Sequence, residues 1–279
     1  MSGSELSAAF GLASAASWGG GDFSGGLAAR RANAFVVAGV SRAVGLSVQV
    51  GLALAVLEPA PPIRAVAWGI AAGVAGSIGL AALYRSLAIG RMGINSPLTA
   101  VLAAALPVLV AALSQGLPSG VRVVGFGLAL AGVWCLSRPE DISGAPRGLG
   151  LALLAGLGFG GFYVLIAQVR GASVFWPLTA STGTSFILLL ALALAGRRAW
   201  FAAPGALPIS LLAGALDAGG NIFFVLAAHG GRLDVAAVLA SLYPAVTVLM
   251  ARLVLKEHLN RIQAVGIGAT LAAIPLIVA

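Results

Sequence analysis

The stretches Gly73–Arg91 (GVAGSIGLAALYRSLAIGR) and Gly214–Arg232 (GALDAGGNIFFVLAAHGGR) hold glycine and arginine in step, about 140 residues apart. Gly73 falls on Gly214, Gly79 on Gly220, and Gly90-Arg91 on Gly231-Arg232. The same register runs outward without a gap. Trp18-Gly19-Gly20 falls on Phe159-Gly160-Gly161, Leu98 on Leu239, Gly125 on Gly266 and Gly127 on Gly268. The chain therefore reads as two copies, 1–140 and 141–279, each with five apolar segments. A duplicated unit with an odd number of spans puts its second copy upside down in a membrane. Inverted repeats of that kind build two gates around one midplane site in many secondary transporters.

Composition sets the environment. Of 279 residues, 60% are hydrophobic and only 9% are charged, too few charges to cover a soluble domain of this length. A bilayer core of roughly 30 Å needs about 20 apolar residues per crossing. Spans are expected near 5–28, 33–57, 66–88, 96–115, 121–137, 148–169, 174–195, 206–229, 234–255 and 260–279. Hydrocarbon offers backbone polar groups no outside partner, so each span should be helical. The runs do not alternate as barrel strands do. The expected fold is all-α integral membrane, ten transmembrane helices as two inverted five-helix repeats. The expected place is a bacterial-type inner (plasma) membrane, crossed many times.

The net charge of +8 does not point to nucleic acid, because the basic residues are scattered. Loops after odd-numbered spans carry Arg30, Arg31, Arg91, Arg138, Arg147, Arg197, Arg198, Lys256 and Arg261. Loops after even-numbered spans carry Arg64, Arg122, Arg170 and Arg232. By the positive-inside rule the first set faces the cytoplasm, which puts both termini outside. The opening Met1-Ser2-Gly3-Ser4-Glu5 has no basic n-region or cleavage site, so no removable signal peptide is expected. Cys135 stands alone in a span, which excludes a disulfide or thiolate–metal scheme within one chain.

The segment Arg138–Arg147 is the longest polar stretch and the natural junction between halves. Small residues recur at helix-packing spacing at Gly69 and Gly73, Gly156 and Gly160, and Ala264 and Gly268. Such pairs let backbones approach closely, and the packing reading is preferred over a bending one. Pro97, Pro107, Pro177, Pro244 and Pro275 fall in or near spans, where each removes a helix hydrogen bond. A kink at Pro244, just after Ser241 and Tyr243, would turn backbone carbonyls toward a cavity.

The closing segment contains Ala240-Ser241-Leu242-Tyr243-Pro244-Ala245-Val246, Leu253-Val254-Leu255-Lys256-Glu257-His258-Leu259 and Gln263-Ala264-Val265-Gly266. It resembles the end of an EamA-type domain of the drug/metabolite transporter superfamily, and Ser17-Trp18-Gly19-Gly20 resembles that family's first span. Two such five-span units would cover essentially the whole chain. The first copy departs from the pattern: Ala103 stands where Pro244 does, and Gln115-Gly116 where Lys256-Glu257 does. The resemblance implies a cavity lined by helices 1, 3, 4, 6, 8 and 9. It also implies transport of small molecules, most often export of amino acids or other metabolites.

Asp217 lies about eleven residues into its span, near mid-membrane at 1.5 Å per residue. A carboxylate at that depth is costly unless paired, hydrated or protonated, so function is the default suspicion. Asn221 lies one turn along the same face, followed by Phe224. Asp217 is the expected coupling residue, as partner of a substrate ammonium or carrier of an exchanged proton. The plainer reading is a structural Asp satisfied by Asn221. Ser14, Trp18 and Asp22 stack at spacing four on the first helix, and Ala155, Phe159 and Tyr163 match them in the second copy. Trp18 suits a cavity wall or ordinary packing. Asp22 and Arg42 should reach similar depths on antiparallel helices, as a structural clasp or a gate pair.

Arg85 and Arg252 lie near span ends and are expected to snorkel, while Tyr84 would turn a hydroxyl inward. His229 caps a helix end or relays protons, and His258 is a solvated loop residue. No metal-ligand spacing and no Walker sequence is present, so no metal or cofactor is expected. The leading reading is a secondary exporter of small zwitterionic metabolites, amino acids first, working by alternating access. Trp18, Tyr84, Tyr163, Asn221 and Tyr243 would shape its site. The alternative on the same fold is an exporter of drugs or organic cations, with Asp217 and aromatic rings as a cation box. An intramembrane enzyme lacks a nucleophile–base set, and a scaffold would not explain the mid-membrane carboxylate. The expected partners are a small-molecule substrate and the lipid bilayer, with one chain sufficient as a monomer.

Overall fold

A computed structural model describes residues 3–29, 31–89, 92–136, 148–169, 173–195, 204–255 and 261–278. The Arg138–Arg147 junction therefore lies outside the described residues, as do Arg30, Arg91, Arg170, Arg197, Arg198, Lys256 and His258. The described chain is helical, with one short 3-10 turn at Pro204–Ala206. The first half forms α1 (Gly3–Ala29), α2 (Ala34–Ala55), α3 (Ile63–Ile89), α4 (Met92–Gln115) and α5 (Gly120–Leu136). The second forms α6 (Leu149–Ile166), α7 (Phe175–Ala195), α8 (Leu207–Gly230), α9 (Leu233–Ala240), α10 (Tyr243–Leu255) and α11 (Arg261–Val278). Seven of these helices are long and apolar enough to cross a membrane. The protein is a multi-pass membrane protein.

Nine of the ten expected spans correspond to single helices. The exception is the ninth, expected as one run over 234–255 and found as α9 and α10 with a turn at Ser241-Leu242. Proline explains the break. Within an unbroken helix the Pro244 ring would meet the carbonyl four residues back, at Ala240, where α9 ends. In the first turn of α10 the missing N–H has no intrahelical acceptor to lose. In the first half Ala103 occupies the matching place, and α4 runs through without interruption.

Helix ends find their partners locally and across the bundle. The Asn33 side chain accepts from Phe35 N at 3.0 Å and caps α2. The Glu58 carboxylate accepts from the N–H groups of Val174, Phe175 and Trp176, the orphan donors at the start of α7. The indole of Trp176 returns a bond to the Glu58 carbonyl at 3.1 Å. The α2–α3 connection is thereby tied to the start of α7.

Glycine sets the helix contacts. A Cβ on Gly158 would lie 2.6 Å from the Gly79 backbone, and one on Gly132 would lie 2.8 Å from Thr270 N. α6 thus crosses α3, and α11 crosses α5, at nearly bare backbone. Gly69 and Gly73 press on α7, while Gly156 and Gly160 press on α4, as the packing reading expects. The third small pair differs. A Cβ on Gly268 would meet nothing within 4 Å, and Gly266 and Thr270 make that contact instead. One pair of contacts crosses between halves reciprocally. The Trp18 ring seats on Gly220, and the Phe159 ring, its counterpart, seats on Gly79, the counterpart of Gly220.

Candidate functional site

α1, α2, α6, α8 and α10 converge on the polar residues of the interior. α1 lies antiparallel to α8, joined by Ser7 Oγ to Ala227 O at 2.7 Å and Ser14 Oγ to Gly220 O at 2.8 Å. This seats Trp18 between the halves. Its ring stacks on Tyr163 of α6 at 5.6 Å and on Phe224 of α8 at 5.8 Å, while Tyr163 and Phe224 are 4.6 Å apart. Ser241, in the turn between α9 and α10, lies near Tyr163, and its hydroxyl donates to Ala237 O at 2.7 Å. Tyr243 opens α10, and its carbonyl lies where Gly19 lets α1 approach. The aromatic wall thus joins three helices to the break in the ninth span.

α2 packs on α8 because Gly214 leaves room for the Ser41 backbone, 2.6 Å from where a Cβ would stand. The next residue, Arg42, donates from Nη1 to Asp217 Oδ2 at 2.7 Å. Asn221 donates from Nδ2 to the same oxygen at 3.0 Å and to the Asp217 carbonyl at 2.7 Å. The Arg42 and Asp217 side chains keep 19% and 24% of their surface exposed, so the pair borders water rather than sealing a core.

The gate pair expected from the sequence, Asp22 with Arg42, is therefore corrected. Arg42 bonds Asp217, because α2 lies along α8 and touches α1 only briefly. Asp22 remains within electrostatic range of Arg42 on α2, Asp217 on α8, Tyr163 on α6 and Tyr243 on α10. It is nonetheless an exposed residue. Asp22 is thus a solvent-reachable carboxylate within electrostatic range of groups on four other helices.

The face of the bundle that carries both chain ends is built differently. Arg232, at the α8–α9 junction, donates from Nη2 to Asp234 at 2.8 Å and to Gly116 O at 2.7 Å, and from Nη1 to Gln115 O at 3.1 Å. Gln115 Oε1 accepts from Leu233 N at 3.2 Å. The hydrogen bond to fully buried Asp234 holds the Arg232 guanidinium above its ordinary value, so it stays charged. The last carbonyls of α4 and the first N–H groups of α9 thereby satisfy one another through side chains. Every residue of α9 is buried behind this latch.

Residues 146–279 match the EamA-like transporter family. The second half of the chain carries an EamA-like transporter domain. That family is one of membrane transporters of small molecules. A crystal structure covered over 95% of its own chain superposes on 97% of this one with a TM-score of 0.77. At 17% identity that likeness is one of fold. No curated protein sequence matches. The family match begins after the first half, where Ala103 and Gln115-Gly116 replace the motif residues of the second.

Of the residues singled out in this chain, Trp18, Tyr163, Asn221, Asp217, Asp22, Arg42 and Tyr243 gather in one region. Tyr84 lies on α3, but its side chain is outside the described residues, as are those of Arg85 and Arg252. His229 sits exposed in the last turn of α8, at a helix end. Phe224, seven residues beyond Asp217 on one face, completes the aromatic wall. The Arg232–Asp234–Gln115 latch went unread, because its members are far apart in sequence and resemble loop charges.

Proposed function

We propose that this protein is a secondary active transporter that exports small zwitterionic metabolites, amino acids foremost, by alternating access. The observation that carries this reading is the presence of both charge signs in one region, with Arg42 and Asp217 partly exposed beside Asp22. Arg42 bonds Asp217 through one nitrogen, so the rest of its planar fork suits a substrate carboxylate. A carboxylate arriving at Arg42 competes with Asp217, and that competition is how Asp217 couples binding to charge or proton movement. The reciprocal seating of Trp18 on Gly220 and Phe159 on Gly79 supports two inverted halves that rock about this region. The Arg232 latch would close one face while the cavity stays open at the other. Export, rather than uptake, follows the tendency of the family the sequence resembles.

A second reading, transport of organic cations, is favoured by one observation. Two carboxylates face one guanidinium, and aromatic rings lie beside them. Proteoliposomes decide between the two. Amino acids should drive a pH or charge signal in the wild type that falls about tenfold or more in Asp217→Asn. A response to organic cations alone would move the assignment to the second reading. A signal untouched by Asp217→Asn would remove Asp217 from coupling.

A further inference from the structure

The charge inventory of this region gives its two carboxylates different tasks. Asp217 has a guanidinium at 2.7 Å and an amide at 3.0 Å on the same oxygen. Asp22 has no hydrogen bond or ion pair among the described residues, and it is exposed. The groups facing Asp22 from the packed helices are Arg42, Asp217, Tyr163 and Tyr243. With Arg42 matched to Asp217, the negative charge left without a counterpart is that of Asp22. One turn before it on α1 stands Trp18, stacked on Tyr163. The electron-rich faces of such rings attract a cation.

We propose that Asp22 is the residue that receives the positive charge of the substrate, a primary or substituted ammonium group, with the Trp18–Tyr163 wall beside it. This rests on the transport reading above and deepens it. Asp22 takes the ammonium, Arg42 the carboxylate, and Asp217 the guanidinium when the carboxylate leaves. A zwitterion then spans the cavity from α1 to α2. A simple amine fills only the Asp22 end.

The two carboxylates can be told apart without knowing the natural substrate. Dicyclohexylcarbodiimide modifies carboxyl groups that it can reach within membranes, and peptide mass spectrometry places the adduct. Full-length wild-type protein should be modified at Asp22, with Asp217 shielded by Arg42 and Asn221. N,N-Dimethylphenethylamine, an ammonium that cannot couple to the activated carboxyl, should slow the Asp22 reaction about tenfold at ten times its Kd, by mass action. The matched anion 3-phenylpropane-1-sulfonate, which carbodiimide does not consume, should not slow it. Modification of Asp217 in preference to Asp22, or no protection by the amine, overturns the assignment. Arg42→Ala, which frees Asp217, should bring its modification up beside that of Asp22; continued inertness of Asp217 would argue against ion-pair shielding. The labelling does not depend on transport. Labelling and protection as expected, with silent proteoliposomes, would sink the transport reading and keep the Asp22 site.

Discussion

The crossing of α2 with α8 and the crossing of α7 with α3 are built on the same backbone device and filled with different chemistry. At the first, Gly214 admits the Ser41 backbone, and at the second its counterpart Gly73 admits the Ser181 backbone. Beyond that glycine they diverge. The α2–α8 crossing carries Arg42 and Asp217, whereas the corresponding residues at α7–α3 are Gly183 and Gly76. There Ser77 donates to the Gly73 carbonyl at 2.7 Å, and the Ser185 hydroxyl, 3.1 Å from Ser77 Oγ and 3.2 Å from that carbonyl, shares its one proton between them. Close approach of helices is thus shared by the halves and belongs to the fold. The ion pair joins the two halves at only one of the two crossings.

Removing the pair should have the largest effect. Asp217→Ala leaves Arg42 without its counter-ion, and breaking a buried pair costs about 3–5 kcal/mol. Because both side chains touch water, about 2 kcal/mol is the expected loss, read from thermal unfolding in detergent. The double variant Arg42→Ala with Asp217→Ala should recover part of it. Strict additivity of the two single losses would mean that the pair is not coupled.

A middle-sized effect is expected from the glycines that both crossings share. Gly214→Ala places a methyl 2.6 Å from the Ser41 carbonyl, and Gly73→Ala does the same against Ser181. Each should destabilise by about 1–3 kcal/mol through overpacking, and by similar amounts in the two halves. A loss confined to one of them would break the equivalence of the crossings.

The smallest effects should come from the silent counterparts. A Cβ on Gly76 would lie 3.6 Å from Phe162, and one on Gly183 would lie 3.7 Å from Leu46, ordinary contacts. Gly76→Ala and Gly183→Ala should be neutral, or stabilise by up to about 1 kcal/mol through helix propensity, with transport unchanged. Loss of transport at either would show that the uncharged crossing also takes part in the site.

The broken ninth span teaches the same lesson on a smaller scale. Pro244 stands where α4 has Ala103, and its missing donor and ring clash favour a break there, while α4 accommodates Pro107 within a continuous helix. Whether the resulting turn would meet anything was not readable. In the folded protein Ser241 comes near Tyr163, whose own helix belongs to the same half but lies about eighty residues away.

By itself the sequence determined the membrane class, the apolar spans to within a few residues and the short roster of polar residues inside them. These follow from local rules: hydrocarbon forbids unpaired backbone, and charges are rare enough there to be conspicuous. Only the tertiary structure decided which carboxylate meets Arg42, that Asp22 is exposed with no hydrogen-bond partner among the described residues, and that Arg232 latches α4 to α9. Each of those depends on which helix lies against which. Glycine stripes that permit close packing do not name their partner. α2 lies along α8 of the other half, not along its sequence neighbour α1, and that choice turned an expected Asp22–Arg42 pair into Asp217–Arg42 and left Asp22 exposed.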